Sequence, residues 1–335
     1  MTQYLGLIQQ GLFFGFFLTL LFAALSYFLY PLLQHKIRSL NPARQSDILL
    51  FWNMLPVLAS FFILFVALLP SLLEMLGIST DHCLGHPEGH LHFCLIHLHA
   101  PSNSLFIWGP ALFYLGFLLT VVLNLCVDLC ETCRFKRKLN NFNPEKIAAD
   151  TFLLDTDTPL ALSCGLWRQQ IFLSTGLVNN LSGDEYDIVI QHERAHIKRR
   201  DALKKLLARG FSLAHFPALR RQLLCLFILS NEQACDNASV RQPRDKSTAA
   251  ELLVKIEKLY RGHFFSQSAL TSGVMSPETN ILAERIHNLL NNKNPQSSSF
   301  PLILAMIMIA AALFFGHDLI HDSLEHLMFL LSIFI

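Results

Sequence analysis

The sequence predicts a mainly α-helical, polytopic membrane protein with four transmembrane helices and a soluble α+β domain inserted between spans three and four. Two observations carry this. The 335 residues are 52% hydrophobic and only 15% charged, with 28 phenylalanines, which is too apolar for an ordinary soluble domain. The apolar residues are also gathered into runs. Residues 5–33, 48–76 and 105–129 each have the length to cross hydrocarbon about 30 Å thick, and the shorter run 300–315 crosses with some local thinning.

The first run reads as a retained anchor. No Lys or Arg precedes it, it is too long for a cleaved leader, and basic residues follow it. Lys36, Arg38 and Arg44 lie between the first two spans, no Lys or Arg occurs from Gln45 to Cys133, and none follows Lys293. Cytoplasmic loops collect Lys and Arg, so the expected topology has the N-terminus outside, residues 34–47 inside, 78–104 outside and 134–299 inside, with a tail ending outside. Three units follow: residues 1–133 with three spans, 134–299 as the soluble domain, and 300–335 as the fourth span and tail.

The 134–299 segment holds 23 of the 26 basic residues against 16 acidic ones, a formal +7 in a chain that is +1 overall. That excess draws it toward the lipid bilayer, whose inner surface is anionic. Direct nucleic-acid binding is not expected, since no basic stripe or interleaved aromatic platform stands out. Cysteine usage follows the same division. Cys83 and Cys94 lie in the outer loop, where they can pair or bind metal, while Cys164, Cys225 and Cys235 face the reducing side. Cys130 and Cys133 form a lone Cys-x-x-Cys at the membrane boundary, a weak signal that reads as thiols without a role.

Within the soluble segment, residues 134–138 form a basic stop-transfer run, 140–144 read as a linker, and 169–174 have strand character. Ser182 and Glu185 form a capping box ahead of a helical pattern through Tyr186, Val189, Ile190, Ile197, Leu203 and Leu206, which is expected to stop at Gly210. A turn at His215-Phe216-Pro217 leads into a second long helix that ends before Pro243. A third helix is expected over 247–260, capped by Ser247 or Thr248 with Glu251, and a fourth over 279–290, with 262–277 between them as a loop.

The chemistry is concentrated in His192-Glu193-Arg194-Ala195-His196. Residues four apart stack on one helical face, so His192 and His196 can both hold a zinc ion while Glu193 serves as base toward water, the arrangement of a metalloprotease. The second helix carries Cys225, Leu229, Glu232 and Asp236 on one face. Carboxylates on a buried stripe are costly unless paired or metal-bound, so Glu232 is the natural third ligand. Asp236, one turn on, is placed to orient His192 or His196 from behind. Asp201 pairs with Arg199, Arg200 or a His ring edge, in a structural role. For an oxyanion stabiliser, His215 and Tyr186 are weak candidates.

These residues resemble the BlaR/MecR-type membrane metallopeptidases. The match runs through Gly165 to Gly176, Leu181-Ser182 with Glu185, and His192 to His196 with Arg199-Arg200-Asp201. It continues through Pro217, Glu232-Gln233-Ala234-Cys235-Asp236 and Glu284-Arg285-Ile286. The resemblance implies a zincin-like domain with His192, His196 and Glu232 as zinc ligands and Glu193 as catalytic base. It further implies a bacterial cytoplasmic (inner) membrane and, as protein substrate, a transcriptional repressor of the BlaI/MecI type. The chain has no room after the fourth span for the family's large penicillin-binding sensor domain, so β-lactam sensing by that route is not expected.

The outer loop is the second unusual feature. His82, Cys83, His86, His90, His92, Cys94, His97 and His99 fall within residues 81–99, and the tail adds His317, His321 and His326. Imidazole and thiolate suit zinc or copper, so loop and tail together read as an additional Zn or Cu site that senses metal outside. The bland alternative is that His replaces Lys and Arg where basic charge is disfavoured, with Cys83 and Cys94 bridged.

The leading reading is thus an integral-membrane zinc endopeptidase in signal transduction. A membrane-protein quality-control protease and a non-enzymatic metal-binding sensor are the alternatives, and a homodimer is left open by the sequence.

Overall fold

The computed structural model describes residues 2–78, 95, 100–240, 245–265, 277–291, 316, 319–323 and 326. The expected fourth span and most of the outer His/Cys cluster (His82, Cys83, His86, His90, His92, Cys94, His97, His99 and His317) lie outside these residues. His321 is described: it is buried, with Nδ1 2.8 Å from the Ala67 carbonyl oxygen.

The chain is mainly helical. Helices α1 (Thr2–Arg38), α2 (Pro42–Ala67) and α4 (Leu105–Asn141) are long and apolar enough to cross a membrane. The second apolar run is not continuous. It breaks at Leu68 and resumes as the short α3 (Leu69–Met75), because Pro70 cannot donate into the preceding turn and is tolerated only at a helix start. The few polar side chains among the long helices satisfy one another. Thr19 donates to Ser60 Oγ at 2.9 Å and lies 2.9 Å from the Tyr114 hydroxyl, while Gln9 exchanges two hydrogen bonds with the Ser102 backbone. Without water to solvate them, such groups must pair internally.

The expected linker is shorter than the sequence suggests, since α4 runs on to Asn141 and β1 (Glu145–Lys146) begins four residues later. Strands β2 (Thr151–Leu154), β3 (Ala161–Cys164) and β4 (Gln170–Ser174) complete a sheet in the order β1-β2-β4-β3. Strand β4 pairs parallel to β2 and antiparallel to β3, with Phe172 opposite both Phe152 and Leu162. Side chains alternate across a strand, so Ile171 and Leu173 face one core with Val189 and Ile190, and Phe172 faces another with Leu139 and Leu154. Both faces of β4 are therefore covered. Burying a residue such as Phe172 stabilises the sheet by about 1.5–3 kcal/mol.

Ser174 ends the strand by accepting hydrogen bonds from Leu160 N and Leu177 N, starting the one-turn α5 (Thr175–Val178). Gly176 is required there. A Cβ at this position would lie 2.0 Å from the Asp157 carbonyl oxygen. Helix α6 (Gly183–Arg199) opens with the expected capping box, in which Ser182 Oγ accepts from Glu185 N and the Glu185 carboxylate accepts from Ser182 N.

The long helix expected to reach Gly210 is instead two helices. Arg200 adopts a left-handed conformation (φ 56°, ψ 40°) and separates α6 from α7 (Asp201–Phe211). Gly210 lies inside α7, where a Cβ would meet the Leu125 side chain at 2.5 Å, so it permits close helix approach and is not the terminator. Helix α8 (Pro217–Ser239) follows, then α9 (Asp245–Phe265) and α10 (Pro277–Asn291). Helix α9 starts before the expected Ser247 or Thr248 cap and ends beyond Gly262, shortening the expected loop from that side.

The segment after α4 is built against the long helices. Tyr30, Ile37 and Leu49 from α1 and α2 share one buried cluster with Ala208 of α7 and Leu219, Leu223 and Phe227 of α8. This shared core fixes α8, which carries Glu232, to the N-terminal end of α2.

Candidate metal centre

Helix α6 presents His192 and His196 one turn apart, with ring centroids separated by 4.8 Å and Nε2 atoms by 3.2 Å. Glu232 reaches across from α8, its Oε2 lying 3.6 Å from His192 Nε2 and 3.7 Å from His196 Nε2. Three donor atoms thus converge on one point.

The other side of each ring is already used. His192 Nδ1 lies 3.0 Å from Asp236 Oδ1, and His196 Nδ1 lies 2.8 Å from Asp201 Oδ2. A carboxylate accepts and cannot donate, so each Nδ1 carries a proton and each Nε2 faces the other ring and Glu232. Two lone pairs at that separation would repel, so the gap between the rings calls for a proton or a metal cation. The pocket's electrostatics make the same demand. Burial opposes charge on His192, but its contacts with Asp236 and Glu232 outweigh burial and raise its pKa to about 10. Burial likewise disfavours the Glu232 carboxylate, yet the two imidazoles hold it well below the usual carboxylate range, helped by the Lys205 ammonium 3.3 Å from Oε1. Two nitrogens, one carboxylate oxygen and a field that favours positive charge fit a divalent cation such as zinc.

A second cluster, His196, Asp201 and Cys235, also has its donors close together, and all three residues are buried or nearly so. It fits a metal less well. Its imidazole contribution is His196 Nδ1, which Asp201 already engages, and Cys235 Sγ donates to Asp201 Oδ2 at 3.4 Å. Burial, reinforced by the Asp201 and Glu232 charges, pushes the Cys235 thiol far above its ordinary range, so it stays protonated.

The carboxylates behind the rings have their own supports. Asp236 accepts a fork from Arg285 of α10, with Nε to Oδ2 at 2.8 Å and Nη2 to Oδ1 at 2.7 Å. Asp201 faces Arg199, whose Nε is 3.3 Å from Oδ1. Glu193, next to His192 on α6 and 7% exposed, has Tyr260 of α9 near enough for its charge to act on the phenol. Burial, and with it the Glu193 charge, raises the Tyr260 phenol above its usual range, while a hydrogen bond with the Ala161 backbone acts the other way.

The structure therefore brings together His192, His196, Glu232, Asp201 and Asp236, and buries Glu193, next to His192 on α6, near Tyr260. It separates two weaker candidates from them. His215 packs against the long helices, its Nε2 donating to the Trp52 carbonyl at 3.0 Å with Ser26 Oγ near Nδ1, and burial holds its pKa below the ordinary value. Tyr186 packs in the core between α6 and the sheet. Sequence reasoning missed Lys205, Tyr260 and the role of Arg285. Arg285 had one signal, a cation within a motif, but nothing local told which carboxylate it meets.

Three membrane-length apolar helices joined to a domain centred on a His, His, carboxylate cluster define a membrane-associated metallopeptidase. Residues 141–289 match the family described as BlaR1 peptidase M56, and this match supports a BlaR/MecR-type family member. The matched segment begins at the last residue of α4 and ends within α10, so it contains every element that builds the cluster. No curated protein and no solved structure matches the chain.

Proposed function

We propose that the chain is an integral-membrane zinc endopeptidase, with His192, His196 and Glu232 holding the ion and Glu193 acting as general base. The observation that carries this is the convergence of two Nε2 atoms and a Glu232 oxygen, with each Nδ1 engaged by a separate carboxylate. Zinc, when bound, supplies Lewis acidity that acidifies water and polarises a carbonyl. Glu193 accepts the proton of the attacking water and returns it to the leaving amine. Asp236 and Asp201 hold the rings in the tautomer that keeps Nε2 free. Arg285 and Lys205 offset the negative charge that four carboxylates would otherwise accumulate in one pocket.

The catalytic segment is proposed to be cytoplasmic, in a bacterial inner membrane, on the asymmetry of Lys and Arg along the chain. The substrate is proposed to be a transcriptional repressor of the BlaI/MecI type, cleaved in response to a stimulus outside, with the His-rich loop and tail as a zinc or copper sensor. The family match over residues 141–289 supports the repressor, and the outer histidines support the metal.

Glu193→Gln is expected to abolish cleavage while zinc content stays at one per chain. Cleavage at the wild-type rate in that variant would remove the mechanism. Comparing protein N-termini in cells carrying wild type or Glu193→Gln, with and without added zinc or copper, tests the rest. One new terminus in a DNA-binding regulator supports signalling, whereas many stimulus-independent termini in membrane proteins overturn it in favour of quality control.

A further inference from the structure

We propose that the inner end of the second span positions His196, through a clamp on the α6–α7 joint. The inference rests on His196 being a metal ligand and adds how that ligand is held.

The geometry of the joint comes first. On an unbroken helix, residues five apart point about 140° away from each other, so Asp201 could not face His196. The left-handed turn at Arg200 brings Asp201 back to within 2.8 Å of His196 Nδ1. Arg200 has a Cβ, so that backbone conformation is unfavourable by itself and must be maintained by contacts on either side.

Those contacts come largely from α2. Arg199, just before the joint, donates from Nη2 to Ser46 Oγ at 2.6 Å and to Asn231 Oδ1 at 3.0 Å. Its Nε is 3.3 Å from Asp201 Oδ1. Ser46 and Asn231 are fully buried, and Ser46 spends its own proton on the Ala43 carbonyl at 2.8 Å, leaving its oxygen to accept from Arg199. Lys204, just after the joint, reaches Asp47 of α2 at 2.6 Å. Two successive residues of the span thus grip the joint from both sides.

A continuous path results: Ser46, Arg199, Asp201, His196. Displacement or rotation of α2 withdraws Ser46 and Asp47, loosens the joint and releases the carboxylate that orients the ring. Among the described residues His192 has no such hydrogen-bonded path to α2, because its support, Asp236 with Arg285, lies on α8 and α10, and α8 meets α2 through apolar packing. Ser46 is a positioning residue for a single metal ligand.

The test uses the full chain in lipid nanodiscs, with zinc affinity measured by chelator competition and ligand geometry by the visible spectrum of the cobalt-loaded protein. Ser46→Ala is expected to weaken zinc binding about tenfold and shift the cobalt bands, and Asp201→Asn about ten- to a hundredfold. Because Ser46 acts through Asp201, the double variant should bind no more weakly than Asp201→Asn alone. Additive losses, or wild-type affinity and spectrum in Ser46→Ala, would overturn the proposal. If Ser46→Ala does not fold, Asp47→Lys repels Lys204 from a position 60% exposed, and wild-type affinity there overturns it equally. His196→Ala separates the two levels. Retained zinc in that variant removes the metal-site reading itself, whereas lost zinc alongside an unaffected Ser46→Ala removes only the clamp.

Discussion

The two histidines proposed as metal ligands sit one turn apart on the same helix and are supported in different ways. Behind His192, Asp236 is 3% exposed and takes a two-pronged fork from Arg285 at 2.7 and 2.8 Å. Behind His196, Asp201 is 1% exposed but meets Arg199 at 3.3 Å, with Arg199 Nε and Asp201 Oδ1 outside good hydrogen-bond geometry. Charge-assisted bidentate pairs are the strong and directional ones. One arm is therefore rigid and held between α8 and α10, and the other is looser and continues to α2. Orienting a ligand and stiffening it are separable tasks, and this site assigns them unequally.

The largest effect should come from breaking the rigid arm. Arg285→Met leaves the Asp236 carboxylate buried without its fork, and removing one partner of a buried pair costs about 3–5 kcal/mol. Thermal unfolding in nanodiscs should show that loss together with weaker zinc binding, and a loss under 1 kcal/mol would show that the arm is not rigid. Next, Asp236→Asn and Asp201→Asn compare the arms directly. Each should weaken zinc about ten- to a hundredfold, Asp236→Asn more than Asp201→Asn, and the reverse order in chelator competition would invert the comparison.

Smaller effects sharpen it. Ser182→Ala removes a cap shared by both arms and should cost about 1 kcal/mol without changing the relative zinc losses of the two Asn variants. A changed ratio would show that the start of α6 is coupled to one ring. Cys235→Ala should leave one zinc per chain by elemental analysis. Loss of that zinc would transfer the ion to the His196, Asp201, Cys235 cluster.

Much of this site was legible because its signals are local. The His192 and His196 spacing, the Ser182 and Glu185 cap, and the carboxylates on the face of α8 each lie within one or two helical turns, as does the Gln170–Ser174 strand. Strands of two to four residues such as β1 and β3 are too short for a period to emerge. The Arg200 break was invisible because a left-handed arginine has neither Gly nor Asn to announce it. The pairings of Arg285 with Asp236 and of Ser46 with Arg199 span 49 and 153 positions, so only tertiary packing decides them.

That wide spacing also sets the order in which the centre is completed during synthesis. At about 5–20 residues per second, roughly 8 to 30 s separate the making of Ser46 from that of Arg199, and about 2 to 10 s separate Asp236 from Arg285. A nascent chain that already contains both histidines still lacks Glu232, and then the Arg285 fork. The ribosome thus delivers the motif early and its counter-charge last, so a partly translated chain carries a recognisable motif but an incomplete centre.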